Sequence, residues 1–221
     1  MASGSAKTIV ASLLIAGAGL FLYVYLNETP PLTAPKAQEA IGLVMGEHAA
    51  RLARDGGRIT VIARDTSVYP SPATDFQLKG FAEALAKARV TKVVTNLLRL
   101  DPGRAVRVPA PEFLSILKKQ QDGDVIASFL GPARLEPDQR SELGAKKVHI
   151  VALCSGGVPR QIDLRALFET EQLQVAVISR TDAFLTPPDS GDLQTWFRHY
   201  YRVITPVNLA ELPLPAEGRS R

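Results

Sequence analysis

Five short apolar runs rich in Val and Ile recur through the middle of the chain, each followed by a segment with a different spacing. The runs are RITVIAR (58–64), KVVTNLL (92–98), DVIASFL (124–130), KVHIVALC (147–154) and LQVAVIS (173–179). Between them stand TDFQLKGFAEALAKA (74–88), APEFLSILKKQ (110–120), PDQRSELG (137–144) and IDLRALFET (162–170), which read as helices. A strand that is apolar throughout needs cover on both of its faces, and a helix after each strand supplies it through right-handed crossovers. The alternation therefore predicts an α/β fold. It is a three-layer, doubly wound parallel sheet, flavodoxin- or Rossmann-like, with five or six strands in the order 2-1-3-4-5. In the segment 74–88, Thr74 and Gln77 have the spacing of a capping box. The segment DLQTWFRHYYRVITP (192–206) sets Trp196, Phe197, Tyr200 and Tyr201 on one apolar face, and YRVIT reads as a sixth strand. Those rings either pack a last helix onto the sheet or form an aromatic binding platform.

Ahead of the alternation lies a helical pattern from about Pro35 to Arg54, with Ala37, Ala40, Ile41, Val44, Ala49 and Leu52 near one stripe. Asp55-Gly56-Gly57 ends it. Farther forward, Thr8 to Leu26 runs without a charge. At about 1.5 Å per residue this length crosses the ~30 Å hydrocarbon core of a bilayer. Tyr23 and Tyr25 sit at one end and Lys7 at the other, so the N-terminus is expected in the cytoplasm and the bulk outside it. A cleaved signal peptide is the rival reading, but no small-x-small site closes the run before Asn27. The expected organisation is a cytoplasmic N-terminus (1–7), a transmembrane signal anchor (8–26), a proline-rich linker (27–35), an α/β domain (36–206) and a C-terminal tail (207–221). The protein is then a single-pass membrane protein with a periplasmic domain.

Composition narrows the function classes. Apolar residues make up 46% of 221, enough for a real core, and the net charge is only +4. Basic residues are scattered, which argues against nucleic acid, since that partner wants a concentrated stripe. The single cysteine excludes an internal disulfide and any zinc site built on several thiolates.

The stretch VALCSGGVP (151–159) is the most suggestive of chemistry. A nucleophilic Cys154 needs a base and a lowered pKa. His149 is nearest in sequence, yet strand alternation points it to the other face. His48 and His199 belong to the first and last helices, and no motif links them to the cysteine. No G-x-G-x-x-G and no G-K-[ST] occurs, so SGG reads as a tight loop needing positive φ. Gly131-Pro132 stand where a receiver-like phosphorylation site would want an acid. No catalytic set, metal site or cofactor is expected. In open α/β sheets ligands bind beyond the carboxyl ends of the strands. The candidate binding residues there are Asp65, Thr66, Ser67, Ser155, Gly156, Arg180 and Asp182, which suit a small polar solute such as a sugar or carboxylate. Arg180 is expected on the edge strand, far from the crevice beside Asp65. These groups can equally be solvated loop charges or mutual ion pairs.

The stretch RITVIARDTSVYPSPATDFQLKGFAEALAKARV, with GDVIASFLGPA and KKVHIVALCSGGVP, resembles one lobe of the type I periplasmic binding proteins and their LacI-type relatives. Gly80, Phe81, Ala84 and Leu85 match that family's R-x-x-G-F-x-x-A-L helix, and Gln77 stands at the arginine position. The resemblance runs over residues 58–183. It implies solute binding without catalysis, in a cleft between two lobes that close on each other. This sequence accounts for one lobe, and a homodimer would supply the other half. The alternatives are an accessory subunit of a membrane complex with a membrane-protein partner, and a hydrolase or transferase using Cys154 or Ser155 at the strand-end rim.

Overall fold

The computed structural model describes residues 34–53, 56–100, 107–144, 146–156, 158, 162–183 and 186–212. The anchor expected at 8–26, most of the linker and most of the C-terminal tail lie outside them. Among the described residues no helix is long and apolar enough to cross a membrane.

The sheet has six strands in the order β2-β1-β3-β4-β5-β6. They are β1 (Ile59–Arg64), β2 (Val93–Leu98), β3 (Val125–Ser128), β4 (His149–Leu153), β5 (Val175–Ser179) and β6 (Tyr201–Ile204). The first five are parallel and β6 pairs antiparallel with β5. The helices are α1 (Pro35–Leu52), α2 (Pro72–Lys87), α3 (Ala110–Lys118), α4 (Pro137–Ser141), α5 (Leu164–Glu169) and α6 (Leu193–Tyr200), followed by a 3₁₀ turn at Pro206–Glu211.

Strand alternation divides the core in two. Val61, Ala127, Val151 and Val177 face one layer, made by α1, α2 and α6. Ile62, Ile126, Ala152 and Ile178 face the other, made by α3 and α5. The three-layer doubly wound α/β sandwich and its strand order are thus as the alternation predicts. Trp196, Phe197 and Tyr200 are buried in the first layer, so the aromatic segment packs α6 onto the sheet. Tyr201 belongs to β6 and not to the helix.

Three expectations need correction. Thr74 and Gln77 do not cap α2, which starts at Pro72 after Ser71. Both are buried instead, and Thr74 Oγ1 donates to Ser71 Oγ at 3.1 Å. Arg180 does not follow an edge strand, because β6 takes the edge beyond β5. Finally, the sheet is not covered throughout. The other edge, β2, exposes Val93, Val94 and Leu97 to solvent, since α2 packs against α1 and not over β2.

The α1–α2 contact explains the glycine of the G-F-x-x-A-L motif and a second one at Gly42. A Cβ at Gly80 would collide with the carbonyl of Glu39 on α1, and one at Gly42 with the carbonyl of Gln77 on α2. The two backbones meet directly only because neither position carries a side chain. Gln77 Nε2 donates to Gln38 Oε1 at 2.6 Å across this contact.

Candidate functional site

The carboxyl ends of the strands carry two separate polar clusters. The first sits after β1, where the winding reverses between β1 and β3. Asp65 extends the ladder, its N–H donating to Leu98 O at 2.9 Å. Its carboxylate then organises the loop. Oδ1 accepts from Ser67 N at 2.9 Å, and Oδ2 accepts from Arg99 Nε at 3.1 Å. Hydrogen bonding from Ser67, with a smaller share from Arg99, holds the Asp65 carboxyl at about 2. Thr66 Oγ1 lies 3.4 Å from Asp75 Oδ1 at the start of α2. Beyond them Val68 and Tyr69 project into solvent.

The second cluster follows β5. Arg180 donates from Nε and Nη2 to the two carboxylate oxygens of Asp182, at 3.1 and 2.7 Å. Arg202 of β6 adds a third bond to Asp182 Oδ1 at 3.1 Å. This pairing lowers the Asp182 pKa and raises that of Arg180. The expected alternative of mutual ion pairs is therefore the geometry seen here. Neighbouring strands lie about 4.8 Å apart, so β1 and β5, three steps removed, hold their clusters ~14 Å apart. Asp65, Thr66 and Ser67 come together; Arg180 and Asp182 come together; the two groups do not meet.

Ser155 and Gly156 follow β4, between the clusters. Gly156 has φ +62°, as the tight-loop reading requires, and Val158 N closes the turn onto Ser155 O at 3.3 Å. Cys154 is fully buried among Ile150, Ala152 and the α5 side chains. Burial pushes its thiol well above the ordinary range. Of the histidines, His48 and His199 belong to helices on the opposite face of the sheet, and strand register turns His149 to that face as well. No base therefore reaches Cys154 from a histidine. Among the described residues no group of His, Cys, Asp or Glu side chains is placed to hold a metal.

A second concavity lies at the other end of the molecule. Where the β3–β4 crossover should cover β4, α4 is one turn and a half long and buries none of its residues. The uncovered space between α3 and α5 is a cavity of about 560 Å³. Phe113, Leu117, Leu135, Phe168 and Leu173 form its apolar lining. Residues 146–148 and 170–174, at the amino ends of β4 and β5, also line it. Two glutamines stitch its wall. Gln174 Oε1 accepts from Ile150 N at 2.6 Å, and Gln172 Oε1 accepts from Leu135 N at 3.3 Å. Sequence reasoning looked only at the carboxyl-end rim and missed this cavity. The signal was present in PDQRSELG, which is polar at almost every position and too short to roof a strand.

No family model matches the chain, and no curated protein does. Solved structures do match. One is an ABC transporter solute binding protein from Burkholderia graminis in complex with D-arabinose. It is 16% identical with a TM-score of 0.50, over 79% of this chain and 61% of that one. A sugar transporter from Clostridium phytofermentans matches at 17% identity and a TM-score of 0.44, over 65% of this chain and 47% of that one. A sugar-binding protein of a sugar ABC transporter from Bacillus halodurans matches at 11% and 0.44, over 78% and 64%. The chain spans between about half and two thirds of the length of these structures. The resemblance to sugar-binding periplasmic proteins is one of fold.

Proposed function

We propose that this chain is a non-enzymatic binding domain, held at a membrane by residues 8–26 and working outside the cytoplasm, that takes a small polar solute or a partner protein at its strand-end rim. The observation that carries the reading is the placement of the Asp65–Ser67 loop at the carboxyl end of β1, beside the reversal of winding. The likeness in fold to solute-binding proteins supports it, and so does the burial of Cys154 away from any histidine. The organisation follows as 1–7 cytoplasmic, 8–26 anchor, 27–35 linker, 36–206 domain and 207–221 tail. Ser155, Gly156, Arg180 and Asp182 extend the rim for a longer ligand or a second copy of the chain.

The test is a melting-temperature screen of the full chain with sugars and small organic acids, repeated on Asp65→Ala and Asp182→Ala. A solute that raises Tm in the wild type and loses that effect in Asp65→Ala supports the rim. Stabilisation unchanged in both variants removes it. External protease on spheroplasts checks the orientation, since digestion of the domain before lysis is the expected result.

A second reading, an accessory subunit of a membrane complex, is favoured by the apolar side chains that β2 presents to solvent. Site-specific crosslinkers at Val94 in the native membrane discriminate the two. A single stoichiometric product speaks for the subunit.

A further inference from the structure

The geometry points to the cavity between α3 and α5 as a second binding site, independent of the rim, for a small amphiphilic organic anion with an apolar body and one carboxylate. Its volume of about 560 Å³ falls within the ~300–1,000 Å³ of small-molecule sites. Its apolar lining suits a hydrocarbon or aromatic body, and a monosaccharide hydroxyl would meet few partners on Phe113, Leu117, Phe168 and Leu173.

The charge around it is one-sided. Arg140, Lys146 and Lys147 line the cavity, and Glu171 is the one acidic residue among the lining. Lys146 Nζ is satisfied by Lys118 O at 3.1 Å. Arg140 is different. Among the described residues no carboxylate pairs with it. A guanidinium fits a carboxylate in a planar two-bond fork. A carboxylate held against Arg140, with its apolar body across Phe113 and Phe168, matches each part of the site. The placement is also unlike that of the rim. Its lining includes residues 146–150 and 170–174, around the amino ends of β4 and β5, whereas Asp65 follows the carboxyl end of β1.

The probe is 4-phenylbutyrate, compared with its uncharged analogue 4-phenylbutyramide, by titration calorimetry on the full chain in lipid nanodiscs with empty nanodiscs subtracted. Saturable one-to-one binding of the acid is expected, at least tenfold tighter than the amide. Arg140→Gln should weaken the acid at least tenfold and leave the amide unchanged, and Leu135→Trp should weaken both by crowding the apolar lining. Arg140 lies on a short surface helix, so its variant is expected to fold, and its Tm is recorded alongside. Asp65→Ala should bind the acid as the wild type does, which separates this site from the rim. Equal affinity for acid and amide, unchanged binding in Arg140→Gln, or no saturable binding by the wild type each overturns the proposal.

Discussion

Gln77 of α2 and Gln38 of α1 share a buried 2.6 Å hydrogen bond, at the position where the resembling solute-binding family carries an arginine. Tyr201 also bonds the Gln38 side chain, and burial pushes its phenol up to about 12. Because α1 lies over this face, an arginine here would lose its water among amides and a phenol. Gln77→Arg should therefore destabilise the domain by roughly 2–4 kcal/mol, as a buried unpaired charge does. Urea denaturation reads this directly, and an unchanged midpoint would show that α1 moves aside.

The helix contact makes a second forecast. Gly42→Ala and Gly80→Ala each push a methyl into the backbone of the other helix, and overpacking of this kind costs about 1–3 kcal/mol. Gly191→Ala is the control, since nothing lies within 4 Å of its Cβ position. Three equal melting temperatures would contradict the close approach.

Cys154 should be silent. A neutral, fully buried thiol reacts slowly with disulfide reagents, so the native chain is expected to show almost no labelling and unfolded chain one equivalent. Rapid labelling under native conditions would reopen the nucleophile reading.

The pH response of the rim loop has a definite sign. The Asp65 carboxyl is held below its ordinary 3.8, at about 2, so the folded loop binds the proton less readily than the unfolded chain. Its contribution is complete above about pH 4 and is lost as pH falls through about 2. Carboxyl chemical-shift titration should place the midpoint near 2. Arg99→Ala should raise it only in part, because Ser67 supplies the larger share. A wild-type midpoint near 3.8 would mean the loop is not ordered by this carboxylate.

Exposed β2 predicts tolerance. Val94→Lys and Leu97→Lys should leave stability within about 0.5 kcal/mol, and both should reduce any self-association through this edge. A large loss of stability in both would show that the strand is covered in solution.

The alternation of Val- and Ile-rich runs with helices carried the parallel sheet, because a run that is apolar on both faces calls for cover on both, and the order 2-1-3-4-5 came from its being a common arrangement of five such strands. That same logic misled at KVVTNLL, which has the composition of a buried strand and lies exposed at the edge. Composition reports that a run can be buried, and only the packing of α2 against α1 decides that this one is not. The capping-box spacing of Thr74 and Gln77 failed for a similar reason. A two-residue pattern cannot tell an N-terminus from a turn one register later, and Pro72 was the stronger start signal. At the rim, sequence order located the loops but not their partners. The bond from Arg202 to Asp182 depends on the antiparallel return of β6, which no local pattern announces.

The direction of α1 decides which end of the sheet the preceding chain approaches. Its first turn lies beside Ser190 and Trp196, with Lys36 Nζ donating to Ser190 O at 3.2 Å and standing 5.8 Å from the indole. Its last turn leads to Gly57, packed beside Gly123 ahead of β3. The helix thus runs against the strands and begins at their carboxyl ends. Only residues 27–34 separate it from the uncharged run, and eight extended residues reach at most about 29 Å. Were the proposed anchor at residues 8–26 in a bilayer, the Asp65 rim would lie at the tethered end of the domain and the cavity beside Arg140 at the far end. A ligand at the rim would arrive within reach of a membrane-embedded neighbour, whereas one in the cavity would be drawn from the bulk and sensed at a distance.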